Sequence, residues 1–214
     1  MYVSIVDYGT GNLNSVSKAI EAARSRINEK VIVRISNNPQ DILISDRIIL
    51  PGQGSYRQCV LNLQNIKGLW EAINEFVLIK KKPIFGICVG MQIFSEEGFE
   101  EERTKGFGWI GGTVKKIILE DRQLKLPHMG WNEINILNKH PLFSGIENLT
   151  DYYFAHSYYF DVKNKADAIC SVKYEKNLTA AVLKDNIFGT QFHPEKSQEN
   201  GIKLLSNFLN WKIK

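Results

Sequence analysis

The sequence predicts an α/β fold in which a mostly parallel sheet, flanked by helices, carries an antiparallel extension. In the first half of the 214-residue chain, short runs rich in Val and Ile alternate with amphipathic segments. The second half consists of candidate strands joined by short turns, and the last segment has a helical apolar stripe. We find no internal repeat, low-complexity segment or linker, so residues 1–214 are expected to form a single domain.

Four apolar runs in the first half predict parallel strands. Several are apolar at consecutive positions, as strands buried on both faces are. In chain order they are "YVSIVDYG", "VIVRIS", "RIILPG" and "PIFGIC". Between them, "NLNSVSKAIEAARS" and "KGLWEAINEFVLIKKK" have apolar residues at helical spacing and predict helices.

The second half predicts largely antiparallel strands followed by a terminal helix. The candidate strands are "GGTVKKIIL", "WNEINIL", "YYFAHSYYFDV", "AICSVKYE" and "LTAAVLKDNIFGTQF". The final segment, "SQENGIKLLSNFLNWKIK", starts with a serine suited to a helix N-cap. Its residues Ile202, Leu205 and Leu209 form one apolar stripe, so the chain is expected to close on a helix.

Composition and charge argue against several classes of function. The 27 basic and 23 acidic residues are mixed along the chain and do not indicate nucleic-acid binding. No apolar run approaches the roughly 18 residues of a membrane span, and "MYVSIVDYG" lacks the pattern of a signal peptide. Three cysteines without C-x-x-C spacing favour neither a disulfide framework nor a zinc site. We expect a cytoplasmic protein with reduced thiols that binds neither nucleic acid nor a membrane.

The stretch "PIFGICVGMQIF" places Cys88 between two glycines at the end of a predicted strand. Residues 86–90, "GICVG", have the form of a nucleophile elbow, in which a sharp strand-to-helix turn holds the reactive side chain clear of the sheet. The N–H groups that begin the next helix favour a thiolate. The alternative, a small buried hydrophobe, is adopted for Cys59 and Cys170, which lack this context.

A thiolate nucleophile needs a proton shuttle, and His193 is the strongest of the four histidines for that role. It ends the predicted strand "IFGTQF", and the proline after it favours an extended backbone. Residues two apart in an extended chain face the same side, so Glu195 can orient the ring and complete a Cys-His-Glu triad. A His-Pro turn with a solvated glutamate is the alternative. His128 and His156 could line a pocket or pack, and His140 is expected in a surface loop.

The glycine loop 52–54, Gly-Gln-Gly, follows the third predicted strand and is the candidate site for negative charge on the substrate oxygen. The carboxyl ends of parallel strands share one edge of a sheet, which would bring this loop beside the elbow. One loop N–H and that of Val89 could then form an oxyanion hole. The loop lacks the Lys-Ser/Thr of a phosphate cradle. A second glycine loop, residues 9–12, fits a helix-start turn at an interface or ligand edge.

Five motifs, in this order, closely resemble those of the class I glutamine amidotransferases: "PGQGS", "GICVGMQ", "LPHMGWN", "FAHSY" and "GTQFHPEKS". Within that class, "PHMGWN" and the opening "DYGTGNLNSV" resemble the glutaminase subunits of imidazole glycerol phosphate synthases. The resemblance covers nearly the whole chain. It implies a flavodoxin-like sheet with an antiparallel extension, no metal or organic cofactor, and a heterodimer with a (β/α)₈ barrel cyclase subunit.

The resemblance also implies roles for single residues. The catalytic triad falls on Cys88, His193 and Glu195. The oxyanion site falls on Gly52, Gln53, Gly54 and Val89. Glutamine binding falls on Gln92, His156, Ser157 and Tyr158. The implied reaction is hydrolysis of glutamine to glutamate and ammonia, and the cyclase subunit uses the ammonia to form imidazole glycerol phosphate and an aminoimidazole carboxamide ribotide in histidine biosynthesis.

A further set of residues is predicted to face the cyclase subunit: Asn12, Asn14, Met129, Trp131 and Asn132. An aromatic residue beside methionine on an exposed turn, as in "PHMGWN", is typical of an interface core. The alternative is that Trp131 packs under the antiparallel extension, because large aromatic side chains are usually well buried.

Three other functions stay open from the residues alone. A cysteine peptidase of the same architecture would share the elbow, but gives no reason for Gln92 or "PHMGWN". A non-catalytic binding subunit would keep the fold and lose the triad. A paralogous glutaminase could supply ammonia to a different acceptor, such as a sugar-modifying synthase, and identifying the partner would decide this case.

Overall fold

Residues 1–213 are described by the computed structural model, and they form thirteen strands. The strands are β1 (Tyr2–Val6), β2 (Ile32–Ser36), β3 (Arg47–Gly52), β4 (Ile84–Cys88), β5 (Glu97–Gly98), β6 (Thr104–Lys105), β7 (Gly112–Lys116), β8 (His128–Ile136), β9 (Thr150–His156), β10 (Tyr158–Val162), β11 (Ala168–Tyr174), β12 (Lys176–Lys184) and β13 (Ile187–Thr190). The predicted strands of both halves are all present, and "YYFAHSYYFDV" splits into two strands at Ser157.

The helices of the described residues lie mostly between the strands of the first half. They are α1 (Leu13–Arg24), α2 (Pro39–Ile44), α3 (Tyr56–Asn65), α4 (Leu69–Asn74), α5 (Val89–Gln92) and α6 (Gln198–Asn210). A π-helical turn, Glu75–Ile79, extends α4, and a 3₁₀ turn, Pro194–Lys196, precedes α6. The segment 69–79 is therefore less regular than its amphipathic pattern predicts.

Nine strands form one large sheet in the order β2-β1-β3-β4-β13-β12-β11-β8-β9. The pairs from β2 to β13 are parallel, and those from β13 to β9 are antiparallel. The predicted fold class, a parallel sheet with helices and an antiparallel extension, is confirmed. A second sheet of four strands, in the order β10-β7-β5-β6, was not predicted. Two of its strands have only two residues each, too short to give a periodic pattern.

Burial of the central strands explains the continuous apolar runs. Ile48, Ile49 and Leu50 of β3 are fully buried, and every residue of β4 is buried. Strands covered on both faces need apolar side chains at successive positions. No helix within residues 1–213 is long and apolar enough to cross a membrane.

The last strand, β13, determines which residues meet at the carboxyl edge of the sheet. It inserts between β4 and β12 and pairs in parallel with β4, placing Thr190 opposite Ile87. On the other side of β4, Gly52 of β3 lies opposite Cys88. Three segments far apart in the sequence thus end side by side at this edge.

Candidate active site

Cys88 lies in a strained turn between β4 and α5. Its φ of +55° and ψ of −113° are values that a residue with a side chain rarely adopts, at a cost of about 1–3 kcal/mol. A Cβ added to Gly90 would lie 1.9 Å from the Leu50 carbonyl oxygen, and one added to Gly86 would lie 2.5 Å from the Phe94 ring. Both glycines are therefore required by close packing, as an elbow demands.

The predicted helix after the elbow is present as a single turn. It contains only residues 89–92, and no side chain caps its first turn. The N–H groups of this single turn, rather than the dipole of a long helix, are what lies next to the sulfur. Cys88 is 4% exposed, and that exposed part faces a cavity rather than open solvent.

His193 and Glu195 form a buried hydrogen-bonded pair. The Nδ1–H of His193 donates to Oε1 of Glu195 over 2.8 Å, and both side chains are almost fully buried. The predicted contact is present, and the backbone of His193 is extended as predicted, but the residues after it are not. β13 ends at Thr190, and Glu195 lies in the 3₁₀ turn after His193 instead of two residues along an extended chain. The carbonyl oxygen of His193 accepts from the Ser197 hydroxyl at 2.6 Å, which fixes this turn.

The electrostatics of His193 connect it to the sulfur as well. Burial by itself lowers the pKa of the His193 ring. Two neighbours act in the opposite direction, namely the Cys88 sulfur, which accepts a hydrogen bond from the ring, and the Glu195 carboxylate. Together they raise the pKa of His193 above its ordinary value. Since Nδ1 is held by Glu195, the nitrogen that faces Cys88 is Nε2. The second carboxylate oxygen of Glu195, Oε2, is buried and has no partner among the described residues.

The glycine loop 52–54 packs directly on the elbow. A Cβ added to Gly52 would lie 2.3 Å from the Gly90 nitrogen, and Gly54 has a φ of +110°. The Cys59 thiol donates to the Gln53 carbonyl oxygen at 3.7 Å. Because the C=O and N–H of a trans peptide point in opposite directions, the N–H of Gly54 is directed away from Cys59.

The other glycine loop, residues 9–12, adjoins the loop 52–54. A Cβ added to Gly11 would lie 3.3 Å from the Pro51 side chain, and Asn12 borders a small cleft together with Gly52 and Glu195. Asn12 also caps α1, accepting from the Ser15 N–H at 3.1 Å. The loop is thus a helix-start turn at the edge of the site, as its sequence predicts.

A cavity of about 230 Å³ opens above the elbow. It is lined by nine of the residues singled out from the sequence, namely Gln53, Gly54, Cys88, Val89, Gln92, His156, Ser157, Tyr158 and His193. Four further lining residues were missed, namely Glu100, Pro127, Ala155 and Lys196. Glu100 belongs to the acidic run "EEGFEEER", but nothing in that run separates it from its exposed neighbours. Burial raises the pKa of its carboxyl group, although its bond from the Tyr56 N–H partly opposes this.

A fifth residue missed by sequence reasoning is Gln191, which belongs to a buried amide network next to the cavity. The Nε2 of Gln92 donates to the Tyr158 carbonyl oxygen at 3.0 Å and to Oε1 of Gln191 at 2.9 Å. The Nε2 of Gln191 in turn donates to the Cys88 sulfur at 3.6 Å. Gln191 is fully buried.

Two histidines continue this network toward β8. The Nδ1–H of His156 donates to the Tyr158 carbonyl oxygen at 2.8 Å, and its Nε2 lies 3.0 Å from Nδ1 of His128. A carbonyl only accepts, so both histidines are held as Nδ1–H tautomers, and Nε2 of His128 accepts from Asn132 at 3.1 Å. Burial lowers the pKa of His128 to about 4 and that of His156 to about 3. Both rings are therefore neutral near pH 7.

The segment "PHMGWN" belongs to a strand, not to an exposed turn as predicted. In β8 the side chains alternate, so that Met129 is 63% and Trp131 47% exposed, while His128 and Asn132 face inward. The side chain of Asn132 lies on the other face, and its amide donates to His128 and to the Lys173 carbonyl oxygen, so its contact with a partner stays a prediction. Burial of Trp131 under the extension is not observed.

The exposed face of β8 adjoins the cavity. The Trp131 ring meets the Tyr153 ring edge-on at 6.1 Å, and the Lys196 ammonium lies 5.7 Å above the Tyr153 ring. Lys196 itself lines the cavity. Asn12 and Asn14 are also exposed.

The two remaining cysteines are buried, as predicted. Cys59 and Cys170 are both fully buried, and burial raises the pKa of each thiol. They stay protonated near pH 7, and Cys170 packs in the antiparallel part of the sheet. Neither lines the cavity that holds Cys88.

Comparison with known proteins shows which family this chain resembles. The sequence pattern of the family "Glutamine amidotransferase class-I" matches residues 4–211. The chain is 47% identical over 210 residues to the imidazole glycerol phosphate synthase subunit HisH of Pelagibacter ubique, covering 98% of this chain and 100% of that protein. The subunit of the same name from Rhodospirillum rubrum is 45% identical over 212 residues, covering 99% of each chain.

Solved structures show the same fold at low sequence identity. A crystal structure of a glutamine amidotransferase has a TM-score of 0.70 and 15% identity, covering 97% of each chain. A glutamine amidotransferase from Thermotoga maritima has a TM-score of 0.59 and 14% identity, covering 98% of this chain and 83% of that one. With the match along almost the whole sequence, the chain belongs to the class I glutamine amidotransferases, in the branch formed by the HisH subunits of imidazole glycerol phosphate synthase.

Proposed function

We propose that this chain is the glutaminase subunit of imidazole glycerol phosphate synthase, with Cys88, His193 and Glu195 as its catalytic triad. The observation that carries the proposal is the meeting of a strained elbow cysteine with a buried His-Glu pair on one cavity. The named HisH relatives support the choice of reaction. Glutamine is the substrate, and glutamate and ammonia are the products.

In the first half of the reaction the Cys88 thiolate attacks the side-chain amide carbon of glutamine. The oxygen of that amide becomes negatively charged. The N–H group of Val89 holds it together with an N–H of the loop 52–54, once that loop has the productive peptide orientation, at about 3 kcal/mol for each donor. Protonated His193 gives its Nε2 proton to the departing nitrogen. Ammonia leaves and a glutamyl thioester stays on the sulfur.

In the second half, water hydrolyses the thioester. His193 takes a proton from the water, the resulting hydroxide attacks the thioester carbon, and collapse of the intermediate expels the thiolate as glutamate forms. Glu195 holds the ring so that Nε2 faces the reacting atoms through both steps. The raised pKa of His193 fits its role as the acid in the first step.

The cavity suits a small amino acid better than a peptide. Its volume of about 230 Å³ is below that of pockets for drug-sized ligands, which hold about 300–1,000 Å³. The Glu100 carboxylate on its wall is positioned to pair with the α-ammonium group of glutamine. Both protons of the Gln92 amide are used by the protein, so its carbonyl oxygen is the atom left to accept from the substrate.

The exposed face of β8 is the proposed docking surface for the (β/α)₈ barrel cyclase subunit, together with the exposed Asn12 and Asn14. Met129 and Trp131 are large apolar side chains that are 63% and 47% exposed, which is typical of an unoccupied interface core. The face reaches the cavity through Tyr153 and Lys196, so ammonia released at Cys88 would leave next to the partner. The barrel would use it to form imidazole glycerol phosphate.

The decisive experiment combines the chain with the purified barrel cyclase and its nucleotide ligand, and measures glutamate release. Turnover should be very slow for the isolated chain and rise by orders of magnitude with the liganded partner. The reason is that contact between the partner and the loop 52–54 can favour the peptide orientation in which an N–H group points at the oxyanion.

Substitution of single cysteines provides the test of the nucleophile. Cys88→Ala should abolish glutamate release while partner binding persists, and Cys170→Ala should keep turnover, losing at most some stability through a small cavity. Substantial glutaminase activity of Cys88→Ala would refute the triad. Equal turnover with and without partner would refute the activation, and a partner other than the cyclase would indicate a different ammonia acceptor.

A further inference from the structure

Gln191 is the polar side chain of the described residues that meets the Cys88 sulfur without belonging to the triad. It is fully buried, its backbone N–H donates to the Ala180 carbonyl oxygen at 2.8 Å, and its side chain reaches the sulfur at 3.6 Å. A side chain held at its backbone and packed on all sides has little freedom to turn away. Its contact with the sulfur is thus a fixed part of the site.

The direction of this hydrogen bond follows from a carbonyl oxygen two steps away. The Tyr158 carbonyl can only accept, so Gln92 must present its NH₂ group there. The same NH₂ group lies 2.9 Å from the Gln191 amide, which must therefore present its oxygen to Gln92. The remaining group of the Gln191 amide, its NH₂, is then the one that faces the sulfur.

A fixed N–H donor at sulfur has a defined chemical consequence. Hydrogen bonds to a charged acceptor are roughly twice as strong as those between neutral groups, so the donor stabilises the thiolate more than the thiol. His193 supplies one such donor, and Gln191 supplies a second that does not change its protonation state during the reaction. In the proposed reaction the sulfur is charged before it attacks the amide and again when the thioester intermediate collapses, and Gln191 donates to it at both points.

We propose that Gln191 is a further catalytic residue of the glutaminase reaction, which holds the Cys88 thiolate through its side-chain N–H and fixes the amide of Gln92 through its carbonyl oxygen. The inference rests on the proposed role of Cys88 as nucleophile. The one buried amide of Gln191 thus contacts both the reacting sulfur of Cys88 and the side chain of Gln92, which is proposed to bind the substrate.

The test uses Gln191→Met, which keeps the length of the side chain and removes both polar atoms. The rate of iodoacetamide modification of the Cys88 peptide, followed by mass spectrometry against pH, reports the thiolate without any partner or substrate. Its midpoint should move upward by about one pH unit, and kcat with the liganded cyclase should fall about tenfold or more. Thr190→Val is the matched control, since it removes a buried hydroxyl that donates to the Phe192 carbonyl oxygen and does not touch the sulfur.

A second measurement uses the unmodified chain. The side-chain amide protons of Gln191, observed by nuclear magnetic resonance, should shift as the Cys88 thiol ionises, and should shift back when iodoacetamide caps the sulfur. The inference would be overturned if these resonances did not shift on ionisation or on capping. It would also be overturned if Gln191→Met had an unchanged pH profile of alkylation and an unchanged kcat. If Cys88→Ala retained glutaminase activity, the proposed triad would fail instead, so the two failures are distinguishable.

Discussion

Replacement of Glu195 by glutamine separates the catalytic role of the carboxylate from its role in the fold. The substitution keeps the shape of the side chain and an oxygen that can accept from Nδ1 of His193. It removes the negative charge that helps to raise the pKa of the ring. In the folded chain, Oε2 of Glu195 is buried without a partner among residues 1–213, so part of this carboxylate stabilises nothing.

The magnitudes follow from these contacts. A hydrogen bond to a charged group contributes about 1.5–3 kcal/mol and one between neutral groups about 0.5–1.5 kcal/mol, so the bond weakens by about 1–1.5 kcal/mol. Because each 1.36 kcal/mol is tenfold in rate, kcat should fall by about 5- to 13-fold. The NH₂ group of the glutamine takes over the unpartnered position of Oε2, but a neutral amide costs less to bury than a carboxylate, which offsets the weaker bond to His193 in the folded state. The free energy of unfolding of Glu195→Gln should therefore change by less than about 1 kcal/mol.

Glutamate release with saturating liganded cyclase measures kcat, and chemical denaturation of the isolated chain measures the free energy of unfolding. Glu199→Gln is the matched control, because Glu199 lies in the first turn of α6, is highly exposed and pairs with Arg26. It should leave both quantities near the wild-type values. A kcat of Glu195→Gln within threefold of wild type would refute the orienting role of the carboxylate. Loss of kcat that only parallels loss of folded protein would refute the separation of roles.

Two further predictions concern the docking surface and acid stability. Trp131→Ala should weaken the complex about 30-fold, as for an interface anchor worth about 2 kcal/mol, with little change in the melting temperature of the free chain. Tyr2→Ala, equally exposed at the opposite end of the parallel strands, should not weaken it, and a large melting shift with normal binding would contradict the interface role. His128 has a folded pKa of about 4, below that of an unfolded histidine, so the unfolded chain binds the extra proton and stability falls as pH drops from about 6.5 to 4. Chemical denaturation at several pH values in that range gives the slope of the unfolding free energy against pH. In His128→Gln this slope should be smaller by up to about 1.4 kcal/mol per pH unit, and an unchanged slope would show that burial of His128 does not cause the loss of stability in acid.

Local patterns predict the parts of this molecule whose geometry is local. The elbow around Cys88 is encoded by two glycines within five residues, and the close contacts at Gly86 and Gly90 show why no other residue fits. Consecutive apolar positions in β3 and β4 likewise predict strands covered on both faces. In these segments the residues of the segment itself determine the local backbone structure.

Features that depend on distant contacts are not predictable in this way. Asn132 lies beside an exposed tryptophan in the sequence, but strand alternation turns it inward onto His128 and the Lys173 carbonyl oxygen, 41 residues away. Gln191 meets the Cys88 sulfur across 103 residues, through the parallel pairing of β13 with β4. Short-range periodicity carries no information about either contact.

The position of β13 also explains how a strained site is maintained. The φ of +55° at Cys88 is held by Gly52 on one side and by the pairing of β4 with β13 on the other. The same pairing positions His193 and Gln191 next to Cys88. The strained backbone of Cys88, the acid-base group of His193 and the N–H donor of Gln191 therefore all depend on the register between β13 and β4. A shift of β13 by one residue would reverse its side-chain directions and remove both partners from the sulfur at once. The site is therefore complete only when the last strand is in place.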